Sequence, residues 1–133
     1  MNTLTIGQLA KQGGVNLETI RYYERCGILP RPPRTVSGYR VFSDESVRRI
    51  HFIKRAQALG FSLKEIGGLL ALRAWPNRSC ANMRAKAKGK IVDIDAKIRT
   101  LTAMKRALTR LVAACDGGAE IGDCPILESL ERQ

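Results

Sequence analysis

The sequence predicts a mostly α-helical fold, in which a winged helix-turn-helix is followed by one long helix and a short C-terminal segment. Three observations support this prediction. Four short segments each combine an N-terminal capping signal with apolar residues at helical spacing. A proline-bounded basic segment, residues 31–42, separates the second of them from the third. A fifth segment, residues 81–115, contains no proline and a single glycine.

The first two predicted helices form the helix-turn-helix. Thr5 and Gln8 match a capping box, which opens the first helix, and a pair of glycines ends it. Asn16 is a favourable N-cap for a second helix over residues 17–26, which a glycine and a proline terminate. Two short helices joined by a glycine-containing turn are typical of a helix-turn-helix.

The next segments predict a wing and two further helices. Residues 31–42 contain a Ser-Gly turn and end in alternating β-prone residues, which favours a basic hairpin. Ser43 and two acidic residues open a third helix, because anions are favourable at a helix start. Ser62 and Glu65 form a second capping box, which opens a fourth helix toward Trp75. The apolar residues expected to close a small core are Val47, Ile50, Ile53, Leu59, Phe61, Ile66, Leu69 and Leu70.

The charge balance indicates the class of partner. The 133 residues include 23 Lys+Arg and 12 Asp+Glu, a net charge of +11. Residues 1–74 hold 12 of these basic and 5 of these acidic side chains, so the excess is concentrated there. No stretch approaches the roughly 20 apolar residues that cross a bilayer, and no secretory leader is recognisable. We therefore expect a cytoplasmic protein with reduced cysteines, no membrane partner and a nucleic-acid-binding N-terminal part.

The second helix carries cations, hydroxyl groups and aromatic rings that suit a DNA major groove. These residues are Glu18, Thr19, Arg21, Tyr22, Tyr23 and Arg25. From the wing, Arg34, Tyr39 and Arg40 would grip phosphates beside that helix. The alternative is that the basic residues only solvate a small helical domain. We expect no enzyme, because the single histidine, His51, offers no Ser-His-Asp set and no glycine-rich phosphate loop is present.

Residues 81–115 carry an apolar seam with alternating three- and four-residue steps, which predicts a coiled coil. The seam consists of Ile91, Ile94, Ile98, Leu101, Leu108, Val112 and Cys115, interrupted by Lys105. A lone helix would leave this seam unburied, so we expect a homodimer, which also suits an operator with two half-sites. Packing of the seam within the chain is the alternative.

The long helix constrains the cysteines. At about 1.5 Å per residue, it places Cys80 and Cys115 about 50 Å apart, too far to share a ligand within one chain. If two such helices pair antiparallel, Cys80 of one chain lies beside Cys115 of the other. Cys124 can join them, because the glycine-rich residues 116–123 can fold back. Each dimer then has two sites of three thiolates, and Cys26 is expected to be a packing thiol outside them.

Three thiolates without an imidazole select soft cations. A structural zinc site normally has four protein ligands, whereas three-coordination suits Hg(II) and, nearly as well, Pb(II). We therefore expect a thiophilic effector ion bound by Cys80, Cys115 and Cys124. The alternative is three unrelated buried thiols.

Several motifs resemble those of the MerR family of transcription regulators, over nearly the whole chain. They are Thr5–Ala10, Glu18–Arg25, Gly38–Arg40 and Leu59–Leu63. The resemblance implies a merR-type winged helix-turn-helix DNA-binding domain at residues 1–74, a linker at 75–80, an antiparallel coiled-coil dimerisation helix at 81–115 and a metal-binding loop with the C-terminal segment at 116–133. It also implies which residues contact promoter DNA, namely Thr19, Arg21, Tyr22, Arg34, Tyr39 and Arg40, with Lys54 at a phosphate-binding position.

The cysteine pattern, with Cys124 followed by Pro125, resembles the mercury-responsive members of this family. The resemblance implies a regulator that represses a mercury resistance promoter without metal. When Hg(II) binds, it activates transcription by RNA polymerase through distortion of the DNA. A cadmium(II)- or lead(II)-responsive member of the family is the alternative, and a thiol-rich metal buffer without specific DNA binding is a third interpretation.

Overall fold

The computed structural model describes residues 3–74, 80–118 and 120–132. The described residues form the helices α1 (Ile6–Gly13), α2 (Leu17–Arg25), α3 (Asp44–Ala58), α4 (Leu63–Arg73), α5 (Cys80–Ala114) and α6 (Pro125–Glu131), with a short 3-10 turn at Ile121–Asp123. They divide into two compact units, Met1–Lys90 and Ile91–Gln133. The predicted mostly helical fold with one long helix is confirmed. Within the described ranges, no helix has both the length and the hydropathy that crossing a bilayer requires.

Hydrogen bonds at the helix starts confirm the capping predictions. The Thr5 hydroxyl accepts from the Gln8 N–H at 3.2 Å, and the Gln8 side chain accepts from the Thr5 N–H at 2.9 Å. Ser62 and Glu65 repeat this arrangement at 3.1 Å and 2.8 Å. The Asn16 side chain caps α2. Since each cap is made by residues three positions apart, the sequence alone determines where these helices begin.

The four short helices enclose one apolar core. Its buried members are Leu4, Leu9, Ala10, Ile20, Tyr23, Ile28, Leu29, Phe42, Ile50, Ile53, Ala56, Ile66, Leu69 and Leu70. Val47 and Phe61, also predicted, are half-buried against it. The prediction for Leu59 is wrong, because its side chain is 66% exposed. Leu59 caps the C-terminus of α3, and Gly60, with φ of 95°, turns the chain there.

The segment predicted as a wing contains a tight turn. Arg34 and Arg40 form an isolated antiparallel β-bridge. Between them, the Thr35 N–H donates to the Tyr39 carbonyl at 2.7 Å and the Gly38 N–H donates to the Thr35 carbonyl at 2.9 Å. Gly38 has φ of 87°, a conformation that favours glycine. The segment has the turn of a hairpin but, among the described residues, no regular strand, so the wing stays a prediction.

Helix α5 runs without interruption from Cys80 to Ala114, within one residue of the predicted bounds at each end. Residues 75–79, most of the predicted linker, lie outside the described residues. The six aliphatic residues of the predicted seam are between 38% and 63% exposed. The described parts of the chain therefore leave the seam uncovered, which argues against packing within the chain.

Candidate DNA interface and metal centre

One open cavity of about 600 Å³ brings together four of the predicted DNA contacts. Arg21 reaches it from α2, and Arg34, Tyr39 and Arg40 reach it from the turn that follows. Tyr39 is 73% exposed, so its ring is accessible to a partner. Positive groups from two separate segments thus converge on one surface, as a phosphate-binding site requires.

Backbone carbonyls hold the two arginines of the turn. Arg34 donates through Nη1 to the Gly38 carbonyl at 3.2 Å, and Arg40 donates through Nη1 to the Pro32 carbonyl at 3.2 Å. Each bond uses one of the five N–H donors of a guanidinium group. The hydrogen bond to the carbonyl holds each arginine side chain in place, and its remaining donors can bind a phosphate.

Two more arginines line this cavity: Arg31, which the sequence did not assign to DNA, and Arg25, which it grouped with the groove-facing residues of the second helix. Arg31 pairs with Glu24, at 2.7 Å between Nε and Oε2, and the Glu24 side chain is only 4% exposed. Arg25 lies 5.8 Å from the ring centroid of Tyr22, within reach of a cation–π contact. Arg25 lies four positions after Arg21 on the same helix and therefore shares its face, whereas no local pattern marked Arg31.

Thr19 and Lys54 line a second open cavity, of about 870 Å³. The Thr19 hydroxyl donates to the Asn16 side chain at 2.8 Å. The Lys54 ammonium donates to the carbonyls of Gly13 and Gly14, at 3.3 Å and 3.1 Å. Lys54 therefore holds the turn between α1 and α2, a role that sequence reasoning missed.

Tyr23, which the sequence grouped with the exposed residues of the second helix, is a core residue. Its side chain is 5% exposed and its hydroxyl lies 3.2 Å from Gln57 Oε1, to which it donates. Burial raises the pKa of the Tyr23 phenol. The ring faces the core because α2 packs this side against the rest of the unit.

The three cysteines predicted to bind metal flank α5. Cys80 is its first residue and is exposed, whereas Cys115 follows its last residue and is half-buried. Cys124, also half-buried, is the N-cap of α6. Across the ranges described for this single chain, no three His, Cys, Asp or Glu side chains are grouped so that they hold a metal ion. Cys26 is exposed, so the expectation of a packing thiol is wrong.

The segment between Cys115 and Cys124 contains two local turns. The Asp116 side chain accepts from the Gly118 N–H at 2.8 Å, and Gly117 between them has φ of 81°. The 3-10 turn then leads directly into Cys124. Ala119 lies outside the described residues. Both cysteines belong to the same compact C-terminal unit.

Comparison with known families and proteins gives consistent matches. The model of the MerR HTH family regulatory protein matches residues 4–72, and the model of the MerR DNA-binding region matches residues 47–111. The mercuric resistance operon regulatory protein of Bacillus cereus is 46% identical over 96% of this chain and 97% of its own length.

Two solved structures with bound metal are also similar. The transcription regulator PbrR691 of Ralstonia metallidurans CH34 in complex with lead(II) has a TM-score of 0.86 and 34% identity, over 96% of this chain and 98% of that one. The regulator MerR of Bacillus megaterium MB1 in complex with mercury(II) has a TM-score of 0.75 and 41% identity, over 97% of this chain and all of the other, 100%.

Proposed function

The chain belongs to the MerR family of DNA-binding transcription regulators, and on that premise we propose that it is a homodimer that switches a mercury resistance promoter in response to Hg(II). The family consists of regulators and not enzymes. The observation that carries the proposal is the placement of Cys80 and Cys115 at the two ends of one uninterrupted helix, with Cys124 close behind in sequence.

The DNA-binding part of the proposal is residues 1–74 as a winged helix-turn-helix. Arg21 and the arginines of the 31–42 turn would bind operator phosphates, a role supported by their convergence on one open cavity. Thr19, half-buried, and Tyr22, exposed, would lie at the major groove from α2. Lys54 would act through the turn that it holds and through the phosphate nearest to that turn.

The dimerisation part of the proposal is residues 81–115. Two α5 helices would pair antiparallel along the exposed seam, which removes apolar side chains from water in both chains. Support comes from the exposure of residues such as Leu101, at 61%, and Val112, at 63%, which is unusual for large aliphatic side chains aligned on one helix face.

In this dimer, residues 116–133 complete the metal centre. Cys80 of one chain would meet Cys115 and Cys124 of the other, which gives each site three thiolates. The donor set fits a soft ion, because thiolate is a soft ligand. The ion would supply the bonds that hold the two chains together at this site, while the cysteines must lose their protons to bind it, so we expect weaker binding in acid.

Metal binding and DNA binding would be coupled thermodynamically. Without metal, the dimer would hold the promoter in a form that RNA polymerase cannot use. Metal must bind the activating conformation more tightly than the repressing one, and in doing so shift the DNA-binding units and underwind the duplex. Promoter DNA and RNA polymerase are the partners in this scheme.

A promoter reporter titrated with mercury, cadmium, lead, zinc and copper salts tests the proposal. We expect a response to mercury at a far lower concentration than to the other metals. A cadmium(II)- or lead(II)-responsive regulator is the alternative, favoured by the similarity to the lead(II) complex of PbrR691, and an equal response to those ions would establish it. Footprinting of the operator is the control, since a thiol-rich metal buffer would protect no defined palindrome.

A further inference from the structure

Lys90 is a buried charged residue, with a relative exposure of 8%. Its ammonium lies 2.8 Å from Glu65 Oε1 and 5.2 Å from the centroid of the Phe61 ring. The Lys90 side chain is 9% exposed and that of Glu65 43%, so the ammonium end of the pair is shielded from water and the carboxylate end is partly open to it. The ring adds a cation–π attraction to the charge-assisted hydrogen bond. Lys90 lies on α5, whereas Glu65 lies in the first turn of α4.

The same carboxylate oxygen also builds the start of α4. Glu65 Oε1 accepts from the Ser62 N–H at 2.8 Å, while the Ser62 hydroxyl accepts from the Glu65 N–H at 3.1 Å. The Lys90 hydrogen bond, followed by the bond from the Ser62 backbone, lowers the pKa of Glu65 to about 2. The carboxylate is therefore ionised and bound from two sides, so a movement of Lys90 acts directly on the cap of α4.

Two glycines lie where the first turns of α5 pack near α4. A Cβ at Gly60, just before α4, would lie 3.8 Å from Lys90 Cδ, and a Cβ at Gly68 within α4 would lie 3.7 Å from Lys86 Nζ. Both are ordinary van der Waals distances, so α5 side chains reach the surface of α4 here. The compact N-terminal unit accordingly extends to Lys90, so the first turns of α5 belong with the DNA-binding helices.

We propose that the Lys90–Glu65 ion pair transmits metal occupancy at Cys80 to the DNA-binding helices, with Lys90 as a positioning residue. The inference rests on the proposed function, in which metal binds the first residue of α5. Lys90 lies about 15 Å further along the same uninterrupted helix, so a displacement of Cys80 would be carried to Lys90 by the helix itself. The ion pair then passes this displacement to the cap of α4, and through α4 to the core that positions α2.

Substitutions at both partners separate this role from a structural one. Glu65→Gln keeps the capping box, since glutamine also serves at that position, and removes only the charge. Lys90→Met removes the ammonium, Lys90→Arg retains a cation, and Lys88→Met, two residues earlier at an exposed position, is the matched control. For each full-length variant, the measurements are operator affinity, affinity for mercury(II) chloride, and the ratio of induced to basal transcription.

Glu65→Gln and Lys90→Met are expected to lower the induction ratio by about fivefold or more, the lower range of allosteric coupling, while both affinities stay within about twofold. Lys90→Arg and Lys88→Met should keep the wild-type ratio. The double variant should be no worse than either single one, because the two charges act as a pair.

Wild-type induction in both charge-removing variants would overturn the inference and leave the proposed function intact. A fall in induction that only follows a fall in operator affinity would also overturn it, since this is the signature of a structural contact. Absence of any mercury response in the wild-type protein would refute the proposed function and, with it, the inference.

Discussion

Alanine at two glycines of α1 should have opposite effects on stability. A Cβ at Gly13 would lie 2.9 Å from Cγ2 and 3.2 Å from Cδ1 of Ile50. Ile50 lies on α3 and is fully buried at 0% exposure, so it has little space into which to move. A Cβ at Gly7 meets nothing closer than the Thr5 hydroxyl, at 3.9 Å. The same substitution therefore overpacks the core at Gly13, whereas at Gly7 the added methyl group has free space.

Two effects set the magnitude. Alanine is favoured over glycine in a helix by about 0.5–1 kcal/mol. Against this, an extra methyl group in a well-packed core costs about 1–3 kcal/mol. Carbon atoms normally pack about 3.5–4.0 Å apart, and a β-branched isoleucine on a helix has one strongly preferred rotamer. We therefore expect Gly13→Ala to destabilise the protein by about 1–2 kcal/mol and Gly7→Ala to stabilise it by up to about 1 kcal/mol.

Thermal unfolding of the full chain, followed by circular dichroism at one fixed protein concentration, measures both effects, since dimer stability depends on concentration. A change of 1 kcal/mol corresponds to about 4–8 °C in Tm for a unit of this size. In an Ile50→Val background, which removes Cδ1, the cost of Gly13→Ala should be smaller. A rise in Tm for Gly13→Ala equal to that for Gly7→Ala would refute the close packing of α1 on α3.

Two further predictions concern the metal centre and the Lys90–Glu65 ion pair. Mixing Cys80→Ser with Cys124→Ser chains should restore one intact three-thiolate site per heterodimer. The heterodimer should then bind mercury(II), which each variant homodimer does not. If binding does not recover, the antiparallel arrangement is wrong. Because its pKa falls from 4.5 to about 2 on folding, the Glu65 carboxylate stabilises the folded state above pH 4.5 and loses this effect as the pH falls toward 2. The Tm difference between wild type and Glu65→Gln should shrink over that range, and a constant difference would falsify the assignment.

The helix starts could be predicted from the sequence because their determinants are local. Thr5, Asn16 and Ser62 each cap a helix through an atom only three residues away. The bounds of α5 followed equally from the lack of proline and the spacing of apolar residues. Burial was less predictable. Tyr23 was expected at the surface and is buried, whereas Leu59 was expected in the core and is exposed. Burial depends on which helix face meets the other elements.

The sequence also predicted that Arg21 and the turn that carries Arg40 lie close together. That prediction came from the family resemblance, which supplied the relation of the two motifs in space. The two lysine contacts had no such signal. Lys54 bonds a carbonyl 40 residues away and Lys90 a carboxylate 25 residues away, and no local pattern marks either partner. Long-range pairs of this kind depend on tertiary packing, which composition and periodicity do not encode.

The exposure of Cys26 affects how metal stoichiometry on this protein must be measured. Mercury(II) reacts with any accessible thiolate, whether or not two others stand beside it. Every wild-type chain carries such a thiol on its N-terminal unit, apart from the three that flank α5. A titration end point, in equivalents of metal per chain, therefore includes metal bound at the regulatory site and metal captured by Cys26. In the Cys26→Ser protein, the metal bound at the regulatory site can be counted alone.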